Sequence, residues 1–221
     1  MSESVNEQFN PAIRNFEKLK QDLGGEIKVR RIGSGEKEAN LEQVFEQSLL
    51  GDRLSGYKLD EDKLSPYEKK LRTKKDLKIN TIVDFDGVLV SPIHFQRRVG
   101  IKNMLWLARV AKASDKTVIW TNRLQPEEGM LSNYGWFPFL GKRVSRRITE
   151  TLKTQGDQRN VQVKKKKLDG NGESLVGLTE GSDLTIFIGS GNIDRKIVSE
   201  YISRGGDPKK LIYFDTGHLI L

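Results

Sequence analysis

Two carboxylates stand close together where a short apolar run ends. Asp84 follows the run 81–83, and Asp86 comes two residues later, directly before Gly87. Residues two apart at the end of a β-strand project to the same side. Asp84 and Asp86 can therefore share one small site, in which a divalent cation relieves the repulsion between two negative charges. The alternative is a strand that ends in an ordinary Asp-Gly turn without chemistry.

The composition excludes several classes of site. The 221 residues have room for one ordinary domain with a hydrophobic core, and for an appendage. Because the chain has no cysteine, it has neither a disulfide framework nor a thiolate metal site. Its two histidines, His94 and His218, are too few for a histidine-rich metal cluster. We find no long apolar run and no signal-peptide pattern, and we therefore expect no membrane partner and a cytoplasmic location.

The positive charge is concentrated in the second part of the chain. The formal net charge is +8; residues 79–221 hold 22 Lys and Arg against 15 Asp and Glu, whereas residues 1–78 hold 16 against 15. An excess of cations around a pair of carboxylates suits a phosphorylated or polyanionic partner, nucleic acid among them. Many soluble proteins are equally basic without binding nucleic acid, so the charge leaves that partner open.

Residues 1–77 differ in pattern from the rest, and we predict an N-terminal, mainly helical and partly disordered extension. Charges alternate there, and large apolar residues are few. Apolar positions lie on helical faces within 9–23 and 41–49, and 27–32 is a candidate for a short strand between glycines. Such a segment can form a homo-oligomer, dock a substrate, or simply pack on the main domain. The sequence does not separate these roles.

From residue 78 onward, the pattern alternates between strands and helices. Strands are predicted at 80–84, 117–120, 161–163, 184–188 and 211–214. In the helices between them, Leu105 and Ile193 are assigned to inward faces, and the last helix is predicted to end at Gly205-Gly206. This pattern is typical of an α/β domain, here 78–221, whose parallel sheet is covered on both faces. Ligands of such sheets bind beyond the carboxyl ends of the strands.

Polar residues at three of these strand ends together resemble the motifs of the haloacid dehalogenase (HAD) superfamily. The motifs are Val-Asp-Phe-Asp-Gly-Val-Leu at 83–89, Ile-Trp-Thr-Asn-Arg at 119–123, and Gly-Ser-Gly-Asn-Ile-Asp at 189–194. The likeness covers about residues 79–215. It implies a HAD-like Rossmannoid parallel sheet with helices on both faces. The resemblance is to capless members, because the intervals after Asp84 and Thr121 leave no room for a large cap domain.

The resemblance implies a Mg²⁺-dependent phosphatase that works through an aspartyl-phosphate. Asp84 is the implied nucleophile. Asp86 is the implied acid and base, which protonates the leaving oxygen and later deprotonates the attacking water. Thr121 is implied to hold phosphoryl oxygens through its hydroxyl. The substrate-binding candidates follow the first two strands and are Gly87, Asn122 and Arg123.

The resemblance also implies a Mg²⁺ ion held by the Asp84 side chain, the Asp86 carbonyl and Asp194. One position departs from the family pattern, whose fourth motif usually reads Gly-Asp-x-x-x-Asp. Here Ser190 replaces the first of those acids, so the metal site has one negative charge fewer and is weaker or completed by water. Ser190 stays a metal-ligand candidate. Its non-functional role is the N-cap of the following helix.

The family further requires a lysine that offsets phosphoryl charge, from near the third strand. The run Lys164 to Lys167 supplies four candidates, and Lys142 a fifth. Of these we predict Lys167, because its distance in sequence from Gly189 suits the family. Most members of such a run must form a solvated basic patch, so the sequence does not choose among them on its own.

Two functions stay open at this point. The intact pair of Asp84 and Asp86 favours a phosphomonoesterase with an open, basic site for a macromolecular or polyanionic substrate. Ser190 favours the alternative, a catalytically degraded HAD-like module that binds nucleic acid or a protein partner through its basic surface. A third candidate, an unrelated Asp-x-Asp nucleotide-sugar transferase, needs more chain than residues 79–221 provide. Fold likeness alone does not decide between functions.

Overall fold

A computed structural model of the chain describes residues 27–32, 41–85, 87–89, 101–121, 160–166 and 171–216. The strands within them are β1 (Lys28–Arg31), β2 (Ile79–Asp84), β3 (Lys116–Thr121), β4 (Val161–Lys165), β5 (Leu184–Gly189) and β6 (Leu211–Asp215). The α-helices are α1 (Gln43–Glu46), α2 (Pro66–Arg72), α3 (Ile101–Ala113), α4 (Asn171–Thr179) and α5 (Gly191–Ser203). Short 3₁₀ helices lie at Gly51–Arg53, Glu61–Lys63 and Pro208–Lys210. No helix in these ranges has the length and apolar character that crossing a bilayer requires.

The six described strands form one parallel sheet in the order β1-β6-β5-β2-β3-β4. The five strands predicted after residue 78 are confirmed, and so is an α/β fold built on a parallel sheet. From β2 the chain moves outward through β3 and β4, and β5 then returns to the other side of β2. The strand order therefore reverses between β2 and β5. Ligands of open parallel sheets bind in the crevice at such a reversal.

Alternate residues of the strands fill two hydrophobic clusters, one on each face of the sheet. One cluster joins residues such as Val83 of β2 to side chains of α1, α2 and α3. The other joins residues such as Ile82 of β2 to side chains of α4 and α5. All six residues of β2 and all six of β5 are buried, as in strands covered on both faces. The reversal in strand order thus lies in the centre of the core.

Described residues before 78 share this core with residues after it. β1 pairs with β6, and the side chains of Phe45, Leu50 and Leu71 belong to the same cluster as Val83. The candidate strand at 27–32 is therefore a true strand, and it adds an edge to the sheet. Among the described residues, one hydrophobic cluster therefore includes side chains from both sides of position 77/78. Because this segment is rich in charged residues, its composition did not indicate that a few of its side chains are fully buried in the core. The apolar face predicted within 9–23 lies outside the described residues.

A buried ion pair fastens β1 to α2. Arg30 donates from Nη2 to Oε2 of Glu68 at 2.5 Å and to the carbonyl of Lys63 at 2.8 Å, and from Nη1 to the carbonyl of Gln47. The Arg30 and Glu68 side chains are 4% and 0% exposed. Glu68 also completes a capping box with Ser65 at the start of α2. The Arg30 guanidinium thus holds the edge strand against three separate points of the segment that precedes β2.

Two features of the helices differ from the sequence-based prediction. α4 was not predicted, because Gly172 and Gly177 each cost a helix interior about 1 kcal/mol relative to alanine and leave a weak pattern. Close packing explains the glycine at position 172, because a Cβ built there would lie 2.7 Å from Cβ of Glu200 on α5. Leu105 and Ile193, assigned to inward faces, are 42% and 53% exposed. The apolar arc of each helix is wider than the face that packs on the sheet.

Candidate active site

The carboxyl ends of β2, β3 and β5 lie side by side at the reversal in strand order. Asp84 is the last residue of β2, Thr121 of β3 and Gly189 of β5. Asp84 pairs in register with Trp120, and the N–H of Phe85 donates to the Trp120 carbonyl at 3.1 Å. The pairing of β2 with β5 brings Gly189 and the start of α5 to the other side of Asp84. The ends of three strands and the start of α5 therefore meet at Asp84.

A lysine ammonium lies between two buried carboxylates at this point. Nζ of Lys166, the residue after β4, is 2.7 Å from Oδ1 of Asp84 and 2.6 Å from Oδ1 of Asp194 on α5. Each of the three side chains is at most 6% exposed. We call Asp84, Lys166 and Asp194 the charged cluster. With both acids ionised its formal charge is −1, and charge concentrated away from water is unfavourable for folding and typical of functional sites.

Burial and neighbouring charges shift the pKa values of the charged cluster. Burial raises the pKa of the Asp84 carboxyl well above its usual range; the charge of Asp194 raises it further, and Lys166 opposes both. Burial lowers the pKa of the Lys166 ammonium, but the carboxylates of Asp194 and Asp84 outweigh burial and raise that pKa on balance. Lys166 therefore remains a cation at neutral pH. Its charge is available to the two acids and to an anion that binds beside them.

Ser190 connects the two acids. Its backbone N–H donates to Oδ2 of Asp194 at 2.8 Å, and its hydroxyl lies 3.4 Å from Oδ2 of Asp84. Ser190 occupies the N-cap position of α5, but its side chain makes no capping hydrogen bond. The carboxylate of Asp194 lies in the first turn instead, where negative charge is stabilised by the helix dipole. The Ser190 hydroxyl is thereby directed at Asp84 and not used on the helix.

Two glycines allow the loops after β2 and β5 to approach each other. Gly87 has a φ of +87°, and a Cβ built there would lie 2.0 Å from Oγ of Ser190. A Cβ built on Gly189 would lie 2.7 Å from Oδ2 of Asp194. A side chain at either position would displace Ser190 or Asp194 from the contacts described above. The described role of Gly87 is therefore close packing next to Asp84.

We expect Gly87→Ala to lose more stability than Gly205→Ala. Both glycines have a left-handed φ, +87° and +84°, so each substitution carries about 1–2 kcal/mol of backbone strain. A Cβ at Gly205 meets nothing within 4 Å, whereas one at Gly87 collides with Ser190. Crowding of this kind adds about 1–3 kcal/mol. Urea unfolding of both variants measures the difference, and equal losses would contradict the close approach of Gly87 to Ser190.

The predicted site residues fall into two groups. The structure brings together Asp84, Gly87, Ser190 and Asp194. Thr121 ends the neighbouring strand with a fully buried side chain. The remaining predicted residues lie outside the described part of the chain, and these are Asp86, Asn122, Arg123 and Lys167.

Two residues of the site were not chosen from the sequence. Lys166 is one of the four candidates in its run, but the prediction named Lys167. Trp120 lies under Lys166, with its ring centroid 5.7 Å from Nζ. Strand register identifies both, since Asp84 pairs with Trp120 and Trp120 with Lys164, so all three face one side of the sheet. Lys166 is two residues beyond Lys164 and faces the same side.

The chemistry of the donor set fits a Mg²⁺ ion. Oxygen atoms of Asp84, Ser190 and Asp194 converge here, and hard divalent cations prefer oxygen ligands, carboxylates above all. Oδ2 of Asp84 lies 3.4 Å from the Ser190 hydroxyl, and a carboxylate oxygen has more than one lone pair for ligands. Among the described residues, no group of three or more His, Cys, Asp or Glu side chains forms a metal site by itself. The third predicted acid, Asp86, is not among those residues.

Comparison with protein-family models, with curated proteins and with solved structures found no match to this chain.

Proposed function

We propose that this protein is a Mg²⁺-dependent phosphomonoesterase of HAD type that transfers a phosphoryl group to Asp84 and then hydrolyses it. The observation that supports the proposal is the charged cluster, in which Nζ of Lys166 lies 2.7 Å from Asp84 and 2.6 Å from Asp194. A carboxylate that attacks a phosphate ester approaches a second anion. It therefore needs a fixed positive charge beside it, and the buried Lys166 ammonium supplies one.

Asp84 has the position that a nucleophile of this kind requires. It ends the central strand β2 at the reversal in strand order, where ligands of parallel sheets bind. In the first step one carboxylate oxygen bonds to phosphorus, and the bond from phosphorus to the leaving oxygen breaks. Asp86 gives that oxygen its proton. In the second step Asp86 takes a proton from water, which attacks phosphorus and releases phosphate and the free Asp84 carboxylate.

The remaining residues hold charge and orient the phosphoryl group. Asp84, Asp194 and Ser190, with the Asp86 carbonyl, would hold Mg²⁺, which when bound offsets the negative charge of carboxylates and phosphate. Lys166 compensates the charge on phosphoryl oxygens. The hydroxyl of Thr121, at the end of β3, would hold phosphoryl oxygens. Asn122 and Arg123, which follow Thr121 in the sequence, are the proposed contacts to the substrate.

The charge distribution favours a large or polyanionic substrate. Residues 79–221, which contain the whole of the charged cluster, hold 22 Lys and Arg against 15 Asp and Glu. A surplus of cations around a phosphate site attracts polyanions over distances of about a Debye length, roughly 8 Å at physiological salt. Phosphorylated macromolecules, nucleic acids among them, are therefore the substrates to screen first.

Steady-state hydrolysis of p-nitrophenyl phosphate tests the proposal. We expect turnover that requires Mg²⁺, that EDTA removes, and that added Mg²⁺ restores. If the protein hydrolyses none of a panel of phosphomonoesters and also fails to bind Mg²⁺ by calorimetry, the proposed enzyme function is overturned. The protein would then be the degraded HAD-like binding module, which the basic surface and the serine at position 190 favour.

We expect Ser190→Asp to bind Mg²⁺ more tightly than the wild type, by about tenfold or more, because it adds a carboxylate next to Asp84. The same variant should be less stable in EDTA, since a third buried acid faces Lys166 alone. Ser190→Ala removes the hydroxyl without adding charge and is the matched control. Calorimetric titration with MgCl₂ gives all three affinities. An unchanged affinity in Ser190→Asp would contradict a metal ligand position at residue 190.

A further inference from the structure

The indole ring of Trp120 lies against the ammonium of Lys166. Nζ is 5.7 Å from the ring centroid, and the two residues are 1% and 4% exposed. A cation within about 6 Å of the face of a tryptophan is attracted by the negative charge of the ring face, and the attraction grows when water is excluded. Because both Trp120 and Lys166 are buried, we expect the attraction between them to be stronger than that of an exposed pair.

Lys166 needs such a contact because its other described partners change during the proposed reaction. Its ammonium is held by Oδ1 of Asp84 and Oδ1 of Asp194. When Asp84 is phosphorylated, its carboxylate becomes the neutral carbonyl of an acyl phosphate and the negative charge lies on the phosphoryl oxygens, and a substrate phosphate competes for the same ammonium. A lysine ammonium is a point charge on a flexible four-carbon stem, so charged partners alone do not fix its direction. The Trp120 ring is the partner that neither step alters.

Trp120 is itself fixed to β2, which carries Asp84, and to β5, which precedes the helix of Asp194. It pairs in register with Asp84, and its carbonyl accepts the Phe85 N–H at 3.1 Å. Its ring packs against Phe187 of β5, with centroids 5.8 Å apart, within the cluster that α4 and α5 cover. The ring is therefore held in a constant position relative to β2 and to β5, which leads into the helix of Asp194.

We infer that Trp120 is a positioning residue whose ring holds the Lys166 ammonium between Asp84 and Asp194 during phosphoryl transfer. The inference rests on the phosphatase function proposed above. Trp120 does not touch the reacting atoms and acts through Lys166. A tryptophan that merely fills the core would contribute through its shape. A tryptophan that holds a cation contributes through the electrons of its ring, and the two roles can be separated.

Site-specific fluorination of Trp120 changes the electrons and leaves the shape almost unaltered. Tryptophan with one, two and four ring fluorines, introduced at position 120 by stop-codon suppression, weakens the attraction for a cation in steps. We expect kcat for p-nitrophenyl phosphate to fall in step with fluorination, by about tenfold over the series. A kcat that stays constant while the wild type turns over would overturn the positioning role and leave the phosphatase intact.

Trp106 is the matched control. It is also 1% exposed, its indole N–H donates to the Leu41 carbonyl at 2.9 Å, and its ring packs near Phe45. No cation lies over its ring among the residues that the structure describes. The same fluorine series at position 106 should leave kcat unchanged. An equal fall at both positions would show that fluorination acts through general packing, and would overturn the inference.

A second readout does not depend on turnover. In an otherwise wild-type chain, fluorination at position 120 should lower the urea midpoint of unfolding in steps, and in a Lys166→Met background this dependence should disappear. A dependence that persists without Lys166 would overturn the contact. A wild type that neither turns over the phosphomonoester panel nor binds Mg²⁺ would overturn the proposed function and the positioning role together. The unfolding series would then still decide whether the contact between ring and ammonium exists.

Discussion

Asp84→Asn is expected to remove turnover of p-nitrophenyl phosphate, with kcat lowered by about 10³-fold or more. An amide oxygen is too weak a nucleophile to displace the leaving group from phosphorus. The substitution otherwise preserves the site, because asparagine has the shape of aspartate. Its carbonyl can accept from Lys166, as Oδ1 of Asp84 does at 2.7 Å, and its amide nitrogen can face the Ser190 hydroxyl. The loss of activity would therefore report on chemistry and not on folding.

The same variant is expected to be at least as stable as the wild type when metal is removed with EDTA. Burial first, and then the charge of Asp194, raise the pKa of Asp84 in the folded protein well above its value in an unfolded chain. Between those two pKa values the folded state binds the proton more strongly, so stability falls as the pH rises through that window. At a pH above the window, the ionised Asp84 carboxylate destabilises the fold. Asparagine has no charge and removes this penalty.

Asp183→Asn provides the matched control at the opposite end of the sheet. Asp183 precedes β5, and its carboxylate accepts from Nζ of Lys74 at 2.5 Å and from the backbone N–H of Lys78 at 2.9 Å. These bonds, that of Lys74 first, lower the pKa of Asp183, so its ionised form stabilises the fold above the pKa of the unfolded chain. Asp183→Asn should keep its turnover and lose stability, the reverse of Asp84→Asn. Turnover that survives Asp84→Asn would remove Asp84 from the role of nucleophile.

Arg30→Met is expected to reduce the free energy of unfolding by about 3–5 kcal/mol, because it leaves the buried Glu68 carboxylate without a countercharge. The guanidinium also donates to the carbonyls of Gln47 and Lys63, and these acceptors would be stranded at the same time. Without the guanidinium, β1 loses these side-chain hydrogen bonds to the segment that precedes β2 in the sequence. Urea unfolding followed by far-ultraviolet circular dichroism measures the effect.

Two further variants separate charge burial from loss of packing. Arg72→Met removes an arginine that pairs with Asp52 and Glu61 at the surface, where its side chain is 41% exposed, and should cost much less stability than Arg30→Met. Combining Arg30→Met with Glu68→Gln should recover a large part of the loss. Glutamine carries no charge, and its side-chain oxygen can still accept from the Ser65 N–H, as Glu68 does at 2.9 Å. A double variant no more stable than Arg30→Met would contradict the assignment to charge.

Local patterns in the chain were sufficient to predict the central sheet. Four of the five strands that follow residue 78 are largely apolar runs, with β4 the alternating exception, and the parallel arrangement follows from the helices between them. The end of α5 at Gly205-Gly206 was also predictable, because the C-terminal turn depends on a local backbone conformation. Gly205 has a φ of +84°, and the N–H groups of Gly205 and Gly206 donate to the carbonyls of Ile202 and Tyr201.

Patterns failed where a contact distant in sequence decides the outcome. α4 forms although Gly172 and Gly177 weaken it, because Gly172 lets α5 approach and Leu175 is buried against the sheet. The contribution of β1 depends on its pairing with β6, almost two hundred residues later in the chain. Neither contact leaves a periodic signal in the segment that benefits from it.

The sequence by itself determined that Asp84 stands at the end of a central strand, since the order of strand, carboxylate and glycine around it is local. The identity of the lysine was decided by the tertiary structure alone. Register places Trp120 between Asp84 and Lys164 and so directs Lys166, two residues further on, into the charged cluster. Register depends on how two distant strands slide past each other, and a shift of one residue would turn every side chain to the other face. That information lies in the packed sheet and not in a run of four lysines.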